Sequence, residues 1–399
     1  MREGSPSFIG ENLKEIREAR ALNQTTLAEI VGITRQAISQ YEKNQKTPCH
    51  DVLVRMSDIL RIPILFFFQK RQHISNNGVV FFRSLSAATK TSRLQAKRKL
   101  FWTIACVQYL RNFIEFPRVN YPDFDVPKDP GNLTLQEIEE LARKTRKYWG
   151  LNNGPISNLL WLLENNGGVV TKQELEEKKL DAFSHWYAED STPYYVLVTD
   201  KASAVRLRFD AAHELGHIIL HKNLSSKEFN NQAAFMLFEG QANYFAAAFL
   251  LPEETFSTDA VVPSLSLLRS IKPKWKVSIA AMIKRMRNLK LISEEREQRM
   301  FANLSRRGWR TREPLDDQIE QERPRLFQRA FELLLESSLI NSDDLVNNLG
   351  INLDDLEKVV GLHNFFDRGR NIIKFPNMHI RDEDLEPHRR KIPEIKDSV

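Results

Sequence analysis

The stretch Phe209-Asp210-Ala211-Ala212-His213-Glu214-Leu215-Gly216-His217-Ile218-Ile219-Leu220-His221 decides how this 399-residue chain is read. On a helix His213 and His217 lie four residues apart, about 6 Å along one face, so both imidazoles reach a single metal ion. Glu214 sits beside them, where a carboxylate can take a proton from a water that a zinc ion polarises. Ala211, Ala212, Leu215, Ile218, Ile219 and Leu220 make the other faces apolar, which predicts a buried helix, and Gly216 allows another backbone to approach closely. A catalytic zinc needs a third protein ligand and an open fourth position. His221 is eight residues from His213, roughly 12 Å of rise, too far for all three rings to close on one ion, so it reads as a helix-end or supporting residue. The next apolar run supplies a better candidate. Glu239 and Asn243 are again four apart, so Glu239 can complete a two-histidine, one-glutamate site while Asn243 hydrogen-bonds a ligating histidine, and Ala242 and Ala246 let two helices pack tightly.

Outward from this pair the pattern is α+β. Thr134 and Glu137 form a capping-box signature that opens a helix through about Tyr148, and a second helix runs from Ile156 to Glu164. Short β-rich runs follow at Val169-Val170, Ala182 to Tyr187 and Tyr194 to Thr199, then helices near 209–221 and 235–251, the second ended by Pro252. His185, Tyr187, Tyr194 and Tyr195 lie in the strand region expected to flank the cleft, and spacing does not choose among them as stabiliser of an oxyanion. Arg206 and Arg208 are open to either substrate binding or a surface role.

These residues resemble the ImmA/IrrE family of metallopeptidases. The likeness rests on Arg206 to His221, on Glu239-Gly-Gln-Ala-Asn-Tyr-Phe-Ala-Ala-Ala-Phe-Leu-Leu-Pro252, and on Gly154-Pro155 and Leu180-Asp-Ala-Phe-Ser184 upstream. It covers roughly residues 133 to 255, and Trp275 to Ala281 is similar to the C-terminal extension of longer members. The resemblance implies a zincin-like (thermolysin-like) fold, a Zn2+ cofactor held by His213, His217 and Glu239, Glu214 as the catalytic base and Asn243 in support. It further implies cleavage of a helix-turn-helix repressor, often in response to DNA damage or mobile-element signals, with some members paired with toxin-antitoxin or antiphage loci.

The N-terminal end carries different chemistry. Gln24 to Glu42 has the spacing of two short helices around a tight turn: small Ala28 permits close approach, Gly32 takes the turn, and Thr34 caps the second helix. With Ile33, Ile38 and Tyr41 facing inward, Arg35, Gln36, Ser39 and Gln40 occupy the outer face near the helix N-terminus, and they include side chains able to pair bidentately with guanine or adenine. Residues 8–68 resemble the Xre-type helix-turn-helix family, the phage-repressor fold. That likeness implies phosphate contact at Gln24 and base contact at Arg35, Gln36 and Gln40.

Charge and composition set the remaining expectations. Between Lys70 and Phe116 nine basic residues face one acid, Glu115, a stretch suited to a phosphate backbone or to a solvated helix face. Leu94 to Phe113 predicts one long helix, followed by a Pro-rich extended run. Residues 345–356 repeat the helix, Gly turn, helix spacing, but Asp343, Asp344, Asp354, Asp355 and Glu357 against Lys358 would repel phosphate, so this unit reads as a packing module. Two cysteines exclude a disulfide framework, and the densest apolar run, Ile62 to Phe68, is far too short to span a bilayer.

The sequence thus predicts a multidomain, mainly α chain: an all-α helix-turn-helix domain at 1–70, a basic helical linker at 71–130, an α+β zinc metallopeptidase domain at 131–270, a C-terminal helical domain at 271–380 and a charged, disordered tail at 381–399. The expected activity is a DNA-binding, transcription-regulating zinc endopeptidase in a stress, mobile-element or defence context. Its expected partners are operator-like double-stranded DNA, a protein substrate that is itself a repressor, and a second copy in a homodimer, with no membrane. The expected location is the cytoplasm, nucleoid-associated when bound to DNA. The competing readings are a repressor or antitoxin whose peptidase-like domain only senses, and a proteolytic toxin of a toxin-antitoxin pair.

Overall fold

Caps and turns written into the N-terminal sequence produce its helices. Asn23 accepts from the Thr26 amide and opens α2 (Gln24–Val31), Gly32 closes it in the left-handed region at φ 75°, and the Thr34 hydroxyl accepts from the Ala37 amide to open α3 (Arg35–Glu42). Before them comes α1 (Gly10–Ala19) and after them α4 (His50–Leu60). Leu13, Ile16, Leu27, Ile38, Met56 and Leu60 are fully enclosed between the four. The chain is seen here in a computed structural model that describes residues 7–70, 80–82, 89–127, 130–173, 182–198, 203–224 and 231–366. Expectations that fall on Leu180-Asp181, on Thr199 and on the 381–399 tail lie outside the described residues.

A small mixed sheet divides the rest of the molecule. Strands β1 (Val80–Phe82), β2 (Val169–Gln173), β3 (Ala182–Tyr187) and β4 (Thr192–Val198) lie in the order β1-β3-β4-β2, with β2 parallel to β4 and the other pairings antiparallel. Because strand side chains alternate between faces, the register that sets Ser184 opposite Tyr195 also sets His185 opposite Tyr194 on the other side. Phe183, Tyr187, Tyr194 and Val196 belong to one apolar cluster, and Ala182, Tyr195 and Leu197 to a second.

The second cluster is the housing of the motif helices. It gathers α6 (Leu135–Tyr148), which opens on the Thr134–Glu137 capping box, α7 (Leu159–Asn165), α8 (Ala204–His221), α9 (Gln232–Leu250), α10 (Glu253–Asp259), α11 (Leu265–Trp275), α12 (Ile279–Asn288) and α13 (Glu294–Arg306). The first cluster holds the N-terminal helices, α5 (Lys90–Leu110), α14 (Leu326–Glu336), α15 (Ser342–Leu349) and α16 (Leu353–Val360).

This packing departs from the division at 70/71 and 270/271. Helix α5, expected as part of a linker, is a core element: Leu100, Ile104, Cys106, Val107 and Leu110 are each 0% exposed. Its charges crowd the first half while the second half is apolar, and Trp102 Nε1 and the Arg98 guanidinium reach Glu15 and Glu18 of α1 at 2.7 and 2.8 Å. The expected 271–380 unit is shared out, α12 and α13 to one cluster and α14 to α16 to the other. The acidic helix-Gly-helix, α15 and α16 around Gly350, packs on α5, and the Arg20 guanidinium forks onto Asp355 of α16. No described helix is long and apolar enough to cross a membrane.

Candidate metal centre

Helices α8 and α9 meet because Gly216 has no side chain. A Cβ there would stand 3.1 Å from the Ala242 carbonyl oxygen and 3.2 Å from its Cα, so tight that α9 would have to give way by a few tenths of an ångström. At this crossing the structure brings His213, His217 and Glu239 together, with one ligand atom from each within 4.8 Å of the others. The two Nε2 atoms are 3.1 Å apart, and they stand 3.3 Å (His213) and 3.2 Å (His217) from the Glu239 carboxylate. His213, Glu214 and His217 are wholly enclosed, with Glu239 half-buried beside them.

The far nitrogens determine what the near ones offer. His213 Nδ1 lies 3.1 Å from the Asn243 Oδ1, an acceptor only, so the ring proton sits on Nδ1 and Nε2 presents a lone pair. His217 Nδ1 lies 3.0 Å from His221 Nδ1, and His221 Nε2 lies 2.9 Å from Gln241 Oε1. Burial, reinforced by the neighbouring His217 ring, holds His221 well below the usual histidine range, so it is neutral. A carboxylate and an imidazole lone pair converging at about 3.3 Å repel unless a cation lies between them, and two imidazoles with one carboxylate are the donor set of a catalytic zinc. The residues fit the ion.

Glu214 is positioned from the sheet. The Ser184 hydroxyl on β3 donates to Glu214 Oε2 at 2.6 Å, a contact the sequence announced only as part of a longer pattern. Of the four residues considered for oxyanion stabilisation, His185, Tyr187 and Tyr194 stand on the sheet face turned away from α8. Tyr195 is on the near face but fully enclosed, its hydroxyl donated to Tyr121 at 3.0 Å. Arg208 is buried, bound to Glu322 and to the Ile156 carbonyl, which makes it structural, whereas Arg206 is exposed.

At the other end, Arg35 and Gln36 project from the first turn of α3 into solvent, Ser39 and Gln40 are half-buried, and Thr34 is engaged as the cap. Gln24 donates to Glu42 at 2.8 Å, and Glu42 in turn receives Arg17. The site at α8 and α9 and the surface at α3 are thus built on opposite principles, one enclosed and one open.

Comparison with known proteins finds a family match over each of these two parts of the chain. Residues 13–67 match the helix-turn-helix family, and residues 163–287 match the IrrE N-terminal-like peptidase domain. The chain therefore joins an Xre-type helix-turn-helix domain at its N-terminus to an IrrE N-terminal-like domain. The second match begins after α6 and runs through most of α12, later at both ends than the 133–255 span of the sequence resemblance. Similar proteins include an HTH-type transcriptional regulatory protein of Methanocaldococcus jannaschii, 33% identical over 75 residues, or 16% of this chain and 24% of that protein. An uncharacterized HTH-type transcriptional regulator of Bacillus subtilis is 37% identical over 57 residues, 14% of this chain and 49% of that one. The chain thus spans between about a quarter and a half of the length of these two relatives. A Mycobacterium tuberculosis transcriptional regulator of known structure aligns over 47% of this chain and 51% of its own at 18% identity and a TM-score of 0.29, too slight a likeness to bear on fold or function.

Proposed function

We propose that this chain is a DNA-binding regulatory zinc endopeptidase that hydrolyses a specific protein, a partner helix-turn-helix repressor, to control transcription. The observation that carries the reading is the enclosed Glu214 carboxylate, anchored by Ser184 beside the convergent His213, His217 and Glu239. A site that only bound metal for structure would have no use for a held carboxylate at that position.

His213, His217 and Glu239 would hold the zinc. Bound there, the ion would polarise the scissile carbonyl and lower the pKa of the attacking water. Glu214 takes the proton from that water and returns it to the leaving amine, with Ser184 holding one of its oxygens in place. Arg35, Gln36, Ser39 and Gln40 read base edges in the major groove while Gln24, braced by Glu42, meets the backbone. The test is metal content together with cleavage. One zinc per chain and cleavage of the partner repressor that Glu214→Gln abolishes are expected; less than one zinc, or cleavage indifferent to that substitution, defeats the reading.

A further inference from the structure

His221 is too far along α8 to join the metal and is nevertheless fully enclosed beside it, which costs desolvation of two ring nitrogens unless both are used. Both are. Nε2 faces the Gln241 amide oxygen at 2.9 Å, and Nδ1 faces His217 Nδ1 at 3.0 Å. We propose that Gln241 and His221 form a relay that fixes the tautomer of His217 and so prepares its Nε2 for zinc; the proposal rests on the metal-site reading above.

The logic is a count of protons. An amide oxygen only accepts, so His221 must place its single proton on Nε2. Its Nδ1 is then a lone pair, and the short contact to His217 is a hydrogen bond only if His217 carries its own proton on Nδ1. That leaves His217 Nε2 bare and aimed at Glu239 and His213, where the ion would sit. Reversing the relay, with a donor at position 241, would put the proton on His217 Nε2 and shut the site. The two metal histidines are therefore set by different means. His213 is fixed directly by the Asn243 oxygen, whereas His217, one turn further on, is fixed through a second ring, with Phe238 against that ring at 5.1 Å between centroids. Asn243 and Gln241 both belong to α9, which also carries Glu239, so one helix supplies the third ligand and orients the other two. His221 and Gln241 are positioning residues.

The test uses the full chain and zinc itself. In the zinc-free protein, nitrogen-15 spectra of labelled histidines should show His217 protonated at Nδ1 and His221 at Nε2. Competition against a chelator should show zinc held roughly 10- to 100-fold more weakly by Gln241→Leu and His221→Phe, with an altered visible spectrum when cobalt(II) replaces zinc. Gln241→Glu, which keeps an oxygen facing His221 Nε2, should keep affinity within a few-fold of the parent and leave the His217 tautomer unchanged in the nitrogen spectra. A proton on His217 Nε2 in the metal-free protein, or parental affinity in Gln241→Leu, would overturn the relay. If His221→Phe does not fold, the two Gln241 variants and the nitrogen spectra decide alone. If Glu239→Ala binds zinc as the parent does, the metal-site reading fails instead, and the spectra still judge the relay.

Discussion

The crossing of α8 and α9 and the outer face of α3 show two ways of building a functional surface. At the crossing His213, His217 and Glu214 are enclosed, each held by a named partner: Asn243, His221 and Ser184. On α3, Arg35 and Gln36 stand in solvent. On the proposed function, the difference follows from what each would do. Bond-breaking needs dipoles fixed before substrate arrives, because reorganisation would be charged to the barrier. Reading DNA needs long polar side chains free to settle on base edges, while the helix beneath them stays rigid. Here the rigidity of α3 comes from behind, through Arg17 and Glu42, and the whole N-terminal unit is seated on α5 and α16 by the Glu15, Glu18 and Arg20 contacts.

That contrast can be broken at either end. The largest effect is expected from Glu239→Ala: zinc content measured on the purified chain should fall to background and cleavage should disappear, while operator binding stays as in the parent. Next comes Arg35→Ala combined with Gln36→Ala, which should cost about 1–3 kcal/mol of discrimination per lost base contact in competition with non-operator DNA and leave bound zinc unchanged. Binding that ignores both substitutions would remove α3 as the reading element. Ser184→Ala removes one hydrogen bond to a charged group, about 1.5–3 kcal/mol, so turnover should drop about 10- to 100-fold with zinc affinity unaltered.

The smallest effect concerns pH. Glu164 at the end of α7 accepts from the Arg325 and Leu326 amides at the start of α14, and burial pushes its carboxyl up from 4.5 to about 7. The folded chain therefore holds this proton more tightly than the unfolded chain. Its contribution is full below about pH 4.5 and is lost as pH rises through about 7. Glu164→Gln resembles the protonated form, so denaturation at pH 5 and pH 8 should show the parent losing roughly 1–3 kcal/mol relative to the variant. Equal changes in the two proteins would show that the carboxyl is ionised throughout.

How much of this was readable beforehand depended on how local each signal is. The spacing of His213, Glu214 and His217, the cap at Thr34, the turn at Gly32 and the capping box at Thr134 all operate within a few residues, and the helices they require are present. The role of Ser184 was hidden because it depends on strand register: one residue of slip would exchange it with His185. The same register removed His185, Tyr187 and Tyr194 from the cleft. Helix α5 looked like a linker because Lys90, Arg93, Lys97, Arg98 and Lys99 dominate its start, and nothing in the neighbouring sequence reveals that Glu15 and Glu18 answer Trp102 and Arg98. Likewise the joint that Glu322 makes with the start of α7, and the one that Glu164 of α7 makes with the start of α14, link residues more than 150 positions apart.

The most direct measurement is cleavage of the partner repressor by the parent chain and by Glu214→Gln, each shown beforehand to carry one zinc. The account predicts that the variant binds zinc and DNA like the parent and cuts at least about 100-fold more slowly. Equal cutting by two fully zinc-loaded proteins would contradict it.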